Sequence, residues 1–201
     1  MFTHHKHDYS NYKYLFLTTD MGHGLKITNQ SNISDIPTDT SYSFDSYRYH
    51  DMELYNLIRS GRTWYGEKFR SGESLNLSFD FPHLLQDQPL KIYTDVACHK
   101  ERSGPNCYFS ISVDETLIER IEFNEYLSYS NYVYGFNLSR QLQVTSPDNP
   151  VNIGYKLTGG NSVSEGYLNF ICLNAREKLT FTDSPLLFRD VKTVGTGKWF
   201  Y

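Results

Sequence analysis

The sequence predicts an all-β chain, an antiparallel β-sandwich or jelly roll with little helix. Composition is the first reason: 17 tyrosines and 13 phenylalanines stand against 3 methionines, amid many Ser, Thr and Asn, a mixture that suits pleated surfaces and turns. The second is a series of short runs in which apolar and polar residues alternate with period two. The third is the regular punctuation of those runs by Gly, Pro, Asn and Asp clusters, with no helix between them long enough for a parallel crossover.

In chain order, Tyr12 to Thr18 is a strand candidate closed by Asp20-Met21-Gly22-His23-Gly24, and Leu25-Lys26-Ile27 is a short return strand. Asn29 to Thr40 is a polar loop. Tyr49 to Ile58 fits a single helical turn or an extended edge equally well. From Ser74 the alternation is clean, with Leu75, Leu77, Phe79 and Phe81 on one face until Pro82 stops the strand. Leu90, Ile92, Thr94, Val96 and Cys98 repeat the pattern. Further strands are expected over Tyr108–Val113, Leu117–Phe123, Tyr132–Leu138, Gln141–Thr145, Val151–Leu157 and Tyr167–Leu173. Asp114-Glu115, Ser146 to Pro150 and Thr158 to Asn161 supply turns.

At 201 residues the chain can bury a core without staples, and residues 1–201 are expected to form one domain. A formal charge of −4 offers no basic face for phosphate, which argues against nucleic acid as a partner. No apolar run approaches the ~18 residues of a transmembrane helix, and the N-terminus lacks a signal-peptide pattern. The three cysteines, Cys98, Cys107 and Cys172, do not make a disulfide framework. A hairpin around Arg102 to Asn106 would bring Cys98 opposite Cys107, as a disulfide or as two small half-buried thiols.

The most informative stretch is Ser60-Gly61-Arg62-Thr63-Trp64-Tyr65-Gly66-Glu67-Lys68-Phe69. Two glycines, two large rings and opposite charges within ten residues describe a shaped loop. Trp64 is expected to be buried against the sandwich, with Arg62 and Glu67 bonded to each other or to backbone.

Asn56, Ser60-Gly61-Arg62 and Trp64-Tyr65-Gly66-Glu67-Lys68-Phe69 together resemble a signature segment of the PorU-like sortases, gingipain-type cysteine peptidases of the type IX secretion system in Bacteroidetes. Upstream, His7 to Thr18 resembles the tyrosine-rich strand of that family. Downstream, Gly166 to Leu179 and Phe188-Arg189-Asp190 are similar to its later segments, so the resemblance runs along nearly the whole chain. It implies a β-rich, non-catalytic region preceding a peptidase domain that would follow Tyr201. The whole protein would remove sorting domains from exported cargo and attach the cargo to a surface glycolipid. The implied setting is the bacterial outer-membrane surface or extracellular space, and the implied partners are the following peptidase domain, other secretion proteins or cargo. Tyr167 and Asn169 stand where the family usually shows Trp and Asp, which weakens any role for that carboxylate here.

Other chemistry reads weakly. A Cys98 and His23 dyad would need parallel strands and an oxyanion donor, and Gly22-His23-Gly24 suits a tight turn better. His4, His5 and His7 cluster without a Cys or carboxylate pair at ligand spacing, so no metal or cofactor is expected. The numerous carboxylates suit a solvated strand face, and no catalytic residue is assigned. Tyr126, Tyr129, Tyr132 and Tyr134 lie close together among Ser and Asn, a composition able to stack sugars, which makes a carbohydrate-binding sandwich the alternative function.

Overall fold

The structure, a computed structural model, describes residues 12, 15–17, 22–24, 29, 36, 40–59, 61–100, 104–123, 136–145, 147–181, 186 and 189–194. Its strands are β1 (Ser43–Asp51), β2 (Lys68–Arg70), β3 (Ser74–Phe79), β4 (Leu90–His99), β5 (Cys107–Val113), β6 (Thr116–Phe123), β7 (Phe136–Val144), β8 (Val151–Gly159) and β9 (Glu165–Lys178). One 3-10 turn, Val191–Thr193, is the only helical element among the described residues. The strands form two antiparallel sheets packed as a sandwich. The first runs β1-β9-β4-β7 with β2 also on β9, and the second runs β3-β8-β5-β6.

Period-two alternation places the core. On β4, Leu90, Ile92, Val96 and Cys98 point inward, and on β9 Leu168, Ile171 and Leu173 do the same. They meet Phe109 and Ile111 of β5 and Ile153, Tyr155 and Leu157 of β8. Phe109 is the hub, edge-on to Phe69 at 5.1 Å, Phe123 at 6.3 Å and Tyr155 at 6.4 Å between ring centres. The buried hydroxyl of Thr94 donates to the carbonyl of Phe170 at 3.1 Å, which leaves its oxygen to accept from Tyr155 at 2.7 Å. Burial lifts the Tyr155 phenol far above its ordinary range.

Gly166 lets Phe109 sit there. A Cβ at this position would lie 2.6 Å from Cζ of Phe109 and 3.1 Å from Cδ1 of Leu157. Gly166→Ala is therefore expected to lower stability by about 1–3 kcal/mol through overpacking. A urea midpoint equal to that of the parent would refute the tight fit.

Several sequence expectations change. Where described, the segments expected as two strands, Tyr132–Leu138 and Gln141–Thr145, are one: Ser139 and Arg140 stay in the ladder opposite Asp95 and Thr94, so β7 runs unbroken from Phe136 to Val144, while residues 132–135 lie outside the described residues. Cys98 and Cys107 do form a disulfide, but not across a hairpin. Their strands belong to different sheets, so the bond joins the two layers. Leu15, Phe16 and Leu17 are exposed and lie in no strand, while residues 13, 14 and 18 of the strand expected there fall outside the described residues. Strand β1 was not foreseen before Tyr49; at Tyr49 to Asp51 it takes the extended-edge alternative, at the border of its sheet. The Asp114-Glu115 turn joins β5 to β6 with both residues at positive φ, 45° and 67°, as a two-residue hairpin requires.

Candidate functional site

Strands β1 and β2 occupy the same position beside β9. β1 pairs with it from Lys178 to Phe170, and β2 resumes at Tyr167. Between them the chain leaves the sheet as a loop, Met52 to Glu67, whose ends return to adjacent points as in an Ω-loop. At the break, the N–H of Gly66 donates to the carbonyl of Leu168, and the N–H of Leu168 donates to that of Glu67, at 2.8 and 2.9 Å. A Cβ on Gly66 would sit 3.0 Å from Met52 Cβ and 3.4 Å from the Leu168 oxygen, so the close return needs glycine here.

Inside the loop, Tyr55 and Tyr65 bridge in antiparallel fashion, which sets residues 56–64 apart as a tip. Leu57 folds back with Tyr65 onto Ala97 and Tyr167. Ala97 lies between the inward-facing Val96 and Cys98, so this small apolar cluster occupies the face of the first sheet turned away from the main core. The Tyr65 and Tyr55 rings stand 5.6 and 6.1 Å from that of Tyr167.

Beneath the loop lies a buried carboxylate. Asp95, only 5% exposed, accepts from the Asn137 amide at 2.9 Å, the Ser139 hydroxyl at 2.7 Å and the Asn169 amide at 2.8 Å. Those donors come from β7 and β9, on either side of β4. The Tyr65 hydroxyl in turn donates to the Asn137 carbonyl oxygen, so the loop, β7, β4 and β9 share one hydrogen-bond chain. Burial raises the Tyr65 phenol above its usual range and keeps it a donor at neutral pH. With both oxygens engaged by side-chain donors, Asp95 is an anchor for the loop rather than a base poised for proton transfer.

A second polar set sits alongside. Tyr167 donates to Glu165, which also pairs with Lys68. Burial opposes ionisation of Glu165 but is outweighed by these two bonds, and its carboxyl lies below the ordinary value. Burial first, and then the bond to Glu165, push the Tyr167 phenol far upward.

The loop is closed by His50 and Glu67. His50 Nε2 donates to Glu67 Oε1 at 2.6 Å, and this bond raises the imidazole pKa above 6.5 against the opposing effect of burial. Because the folded pKa exceeds the unfolded one, the stabilisation is complete below about pH 6.5 and fades as pH rises through the folded value. His50→Gln is expected to remove that part of the pH dependence. Urea midpoints measured from pH 5.5 to 9 should show the parent weakening relative to the variant; parallel profiles would exclude the clamp.

Trp64 is 40% exposed rather than buried, while Tyr65 at 5% takes the inward position. Neighbours in an extended segment face opposite sides, and the ring whose hydroxyl finds Asn137 is the one that turns in. Glu67 is held by His50, and Arg62 stands exposed on the tip. Gly61 has φ of 83°, and Phe69 is buried in the main core. Ser60 lies outside the described residues, as do Tyr126, Tyr129, Tyr132, Tyr134, His4, His5 and His7. Cys98 is tied up in the disulfide, and the one free cysteine among the described residues, Cys172, is buried. Those residues contain no group of His, Cys, Asp and Glu arranged to hold a metal ion, and no helix long and apolar enough to cross a membrane.

Sequence reasoning missed Asp95. Its signal was a lone carboxylate within Thr94-Asp95-Val96-Ala97-Cys98, a run buried on both faces that tolerates a charge only if it is paired. It also missed a cleft at the opposite end of the same sheet, bounded by Asp45, Lys91, Asn174, Arg176 and Lys192. There the Arg176 guanidinium binds Asp45 at 3.0 Å, Asp190 at 2.6 Å and the Ser43 carbonyl at 3.0 Å. This straps the segment around Asp190 to the outer edge of β1.

No protein-family description and no curated protein matches the chain. Among solved structures it is similar to dimeric latent PorU from Porphyromonas gingivalis, with a TM-score of 0.63 and 18% identity over 85% of this chain and 16% of that one. The likeness shows a common fold, and the chain spans only that 16% of PorU's length. Weaker similarities are to the insecticidal delta-endotoxin Cry8Ea1 from Bacillus thuringiensis, with a TM-score of 0.36 and 15% identity over 54% of this chain and 19% of that one. The catalytic domain of Agl-KA gives a TM-score of 0.40 and 10% identity over 74% and 28%. Neither bears on function.

Proposed function

We propose that residues 1–201 form a single non-catalytic β domain of a PorU-like cell-surface sortase, placed ahead of the peptidase domain and serving to position it or to contact secretion partners and cargo. The observation that carries this reading is the fold shared with PorU over 85% of the chain. The signature from Ser60 to Phe69 adds to it, because its described residues include those that close the Ω-loop and begin β2: Gly66 at the close return, Tyr65 on Asn137, Glu67 on His50, and Phe69 of β2 in the core. The layer-joining disulfide suits an oxidising compartment, in keeping with a place outside the cytoplasm.

The test has two arms. In the full-length parent protein, deleting this domain while keeping the peptidase nucleophile should abolish cargo processing. The isolated 201-residue chain should neither hydrolyse peptide substrates nor react with a peptidyl electrophile. Labelling of a cysteine in the isolated chain, or unimpaired processing after deletion, would overturn the proposal.

A further inference from the structure

The Ω-loop uses one apolar residue of its tip, Leu57, to pack on the sheet and turns others outward. Ile58 is 61% exposed, Trp64 is 40% exposed, and Leu54 and Tyr55 at the neck are exposed as well. From Leu54 to Gly66 the only charged residues are Arg59 and Arg62, both of which face solvent. At the base of the loop, Glu67 is paired with His50, and Asp51 ends β1 while Glu53 stands at the start of the loop, next to Leu54. The tip is thus a basic and aromatic knob on a chain whose net charge is −4. Tyr65 holds it in place through Asn137 and Asp95.

We infer that this knob docks on a lipid surface bearing anionic headgroups, with Ile58 and Trp64 entering the headgroup region and Arg59 and Arg62 lying among the headgroup charges. The chemistry matches on each count. Tryptophan and tyrosine favour the membrane–water interface, aliphatic side chains gain from shallow insertion, and each arginine near an anionic surface adds attraction. A knob also fits a deformable surface better than a glycan, which needs a concave site with converging polar groups. The cleft described above lies at the other end of the sheet, on Arg176 and Lys91. This inference does not rest on the sortase reading, and either can fail alone.

Trp199→Phe leaves Trp64 as the sole indole, because the chain has two tryptophans. The variant, as the full chain, is mixed with vesicles of phosphatidylcholine with or without phosphatidylglycerol. Co-sedimentation with the anionic vesicles only is expected, with a blue shift of Trp64 emission and quenching by brominated acyl chains. In the parent background, Arg59→Gln and Arg62→Gln should each weaken binding about five-fold, and Ile58→Ser with Trp64→Ser should weaken it at least about ten-fold. These side chains are exposed, so an unchanged thermal midpoint will show that the fold is intact. Absence of vesicle binding, binding indifferent to all four positions, or concentration-dependent self-association through Ile58 and Trp64 would each overturn the inference.

Discussion

Replacing Asp95 with alanine is expected to lower stability by about 1–3 kcal/mol, the cost of taking the acceptor away from hydrogen-bond donors that are partnered in the fold. The loss has two sources. The carboxylate's hydrogen bonds disappear, and the amides of Asn137 and Asn169 and the hydroxyl of Ser139 lose their acceptor; Asn137 and Ser139 are exposed and can turn to water, whereas Asn169 is half-buried. Asp95→Asn should lose less, since its one carbonyl oxygen still accepts while its amide can donate to the Ser139 hydroxyl. The alanine variant should also loosen the Ω-loop, because Asn137 is then free to reorient away from the Tyr65 hydroxyl. Trypsin reports on this directly: Arg59 and Arg62 lie on the tip, and cleavage after them should accelerate ahead of global unfolding. An unchanged urea midpoint together with an unchanged cleavage rate would rule out the anchor.

That site marks the limit of what the chain reveals without its fold. The donors to Asp95 are 42, 44 and 74 residues away in sequence, and only sheet order brings β7 and β9 to either side of β4. By contrast, the inward rows Leu75-Leu77-Phe79 and Leu90 to Cys98 were legible, because a half-buried strand imposes its own period. Most of strand β1 escaped because its pattern is inverted. Tyr47 and Tyr49 face outward, while Arg48 lies over the Phe81 ring at 4.8 Å and His50 bonds to Glu67. Ser139 and Arg140 broke β7 into two readings because they are polar, yet Ser139 is polar there in order to serve the buried carboxylate. The loop signature was recognisable as shaped. Which ring turns inward was decided by a partner, Asn137, that local sequence does not display.

Arg176→Ala is expected to cost more, about 3–5 kcal/mol at neutral pH, because it leaves a buried charge behind. The side chain is 10% exposed and bridges Asp45, Asp190 and Ser43, so its removal leaves the Asp190 carboxylate, itself 7% exposed, without a cation. Burial alone would raise the Asp190 pKa. The bonds from Arg176, from the Ser41 hydroxyl and from the Lys192 N–H outweigh it and bring the carboxyl down to about 2. An unfolded aspartate titrates near pH ~3.9, so this stabilisation is fully present above about pH 4 and is lost as pH falls through 2. The gap between parent and Arg176→Ala should therefore be widest from pH 5 upward and shrink on acidification. Arg176→Lys should restore only part of it, since an ammonium cannot span two carboxylates and a backbone carbonyl as the guanidinium fork does. Hydrogen exchange localises the effect. The amides of Asp45, Val191 and Thr193 are bonded to Arg189, Asp45 and Asp190, so they should lose protection together when the strap lifts from β1. A gap that stays constant down to pH 2 would mean that packing of the arginine stem, and not its charge, holds this strap to the edge of the sheet.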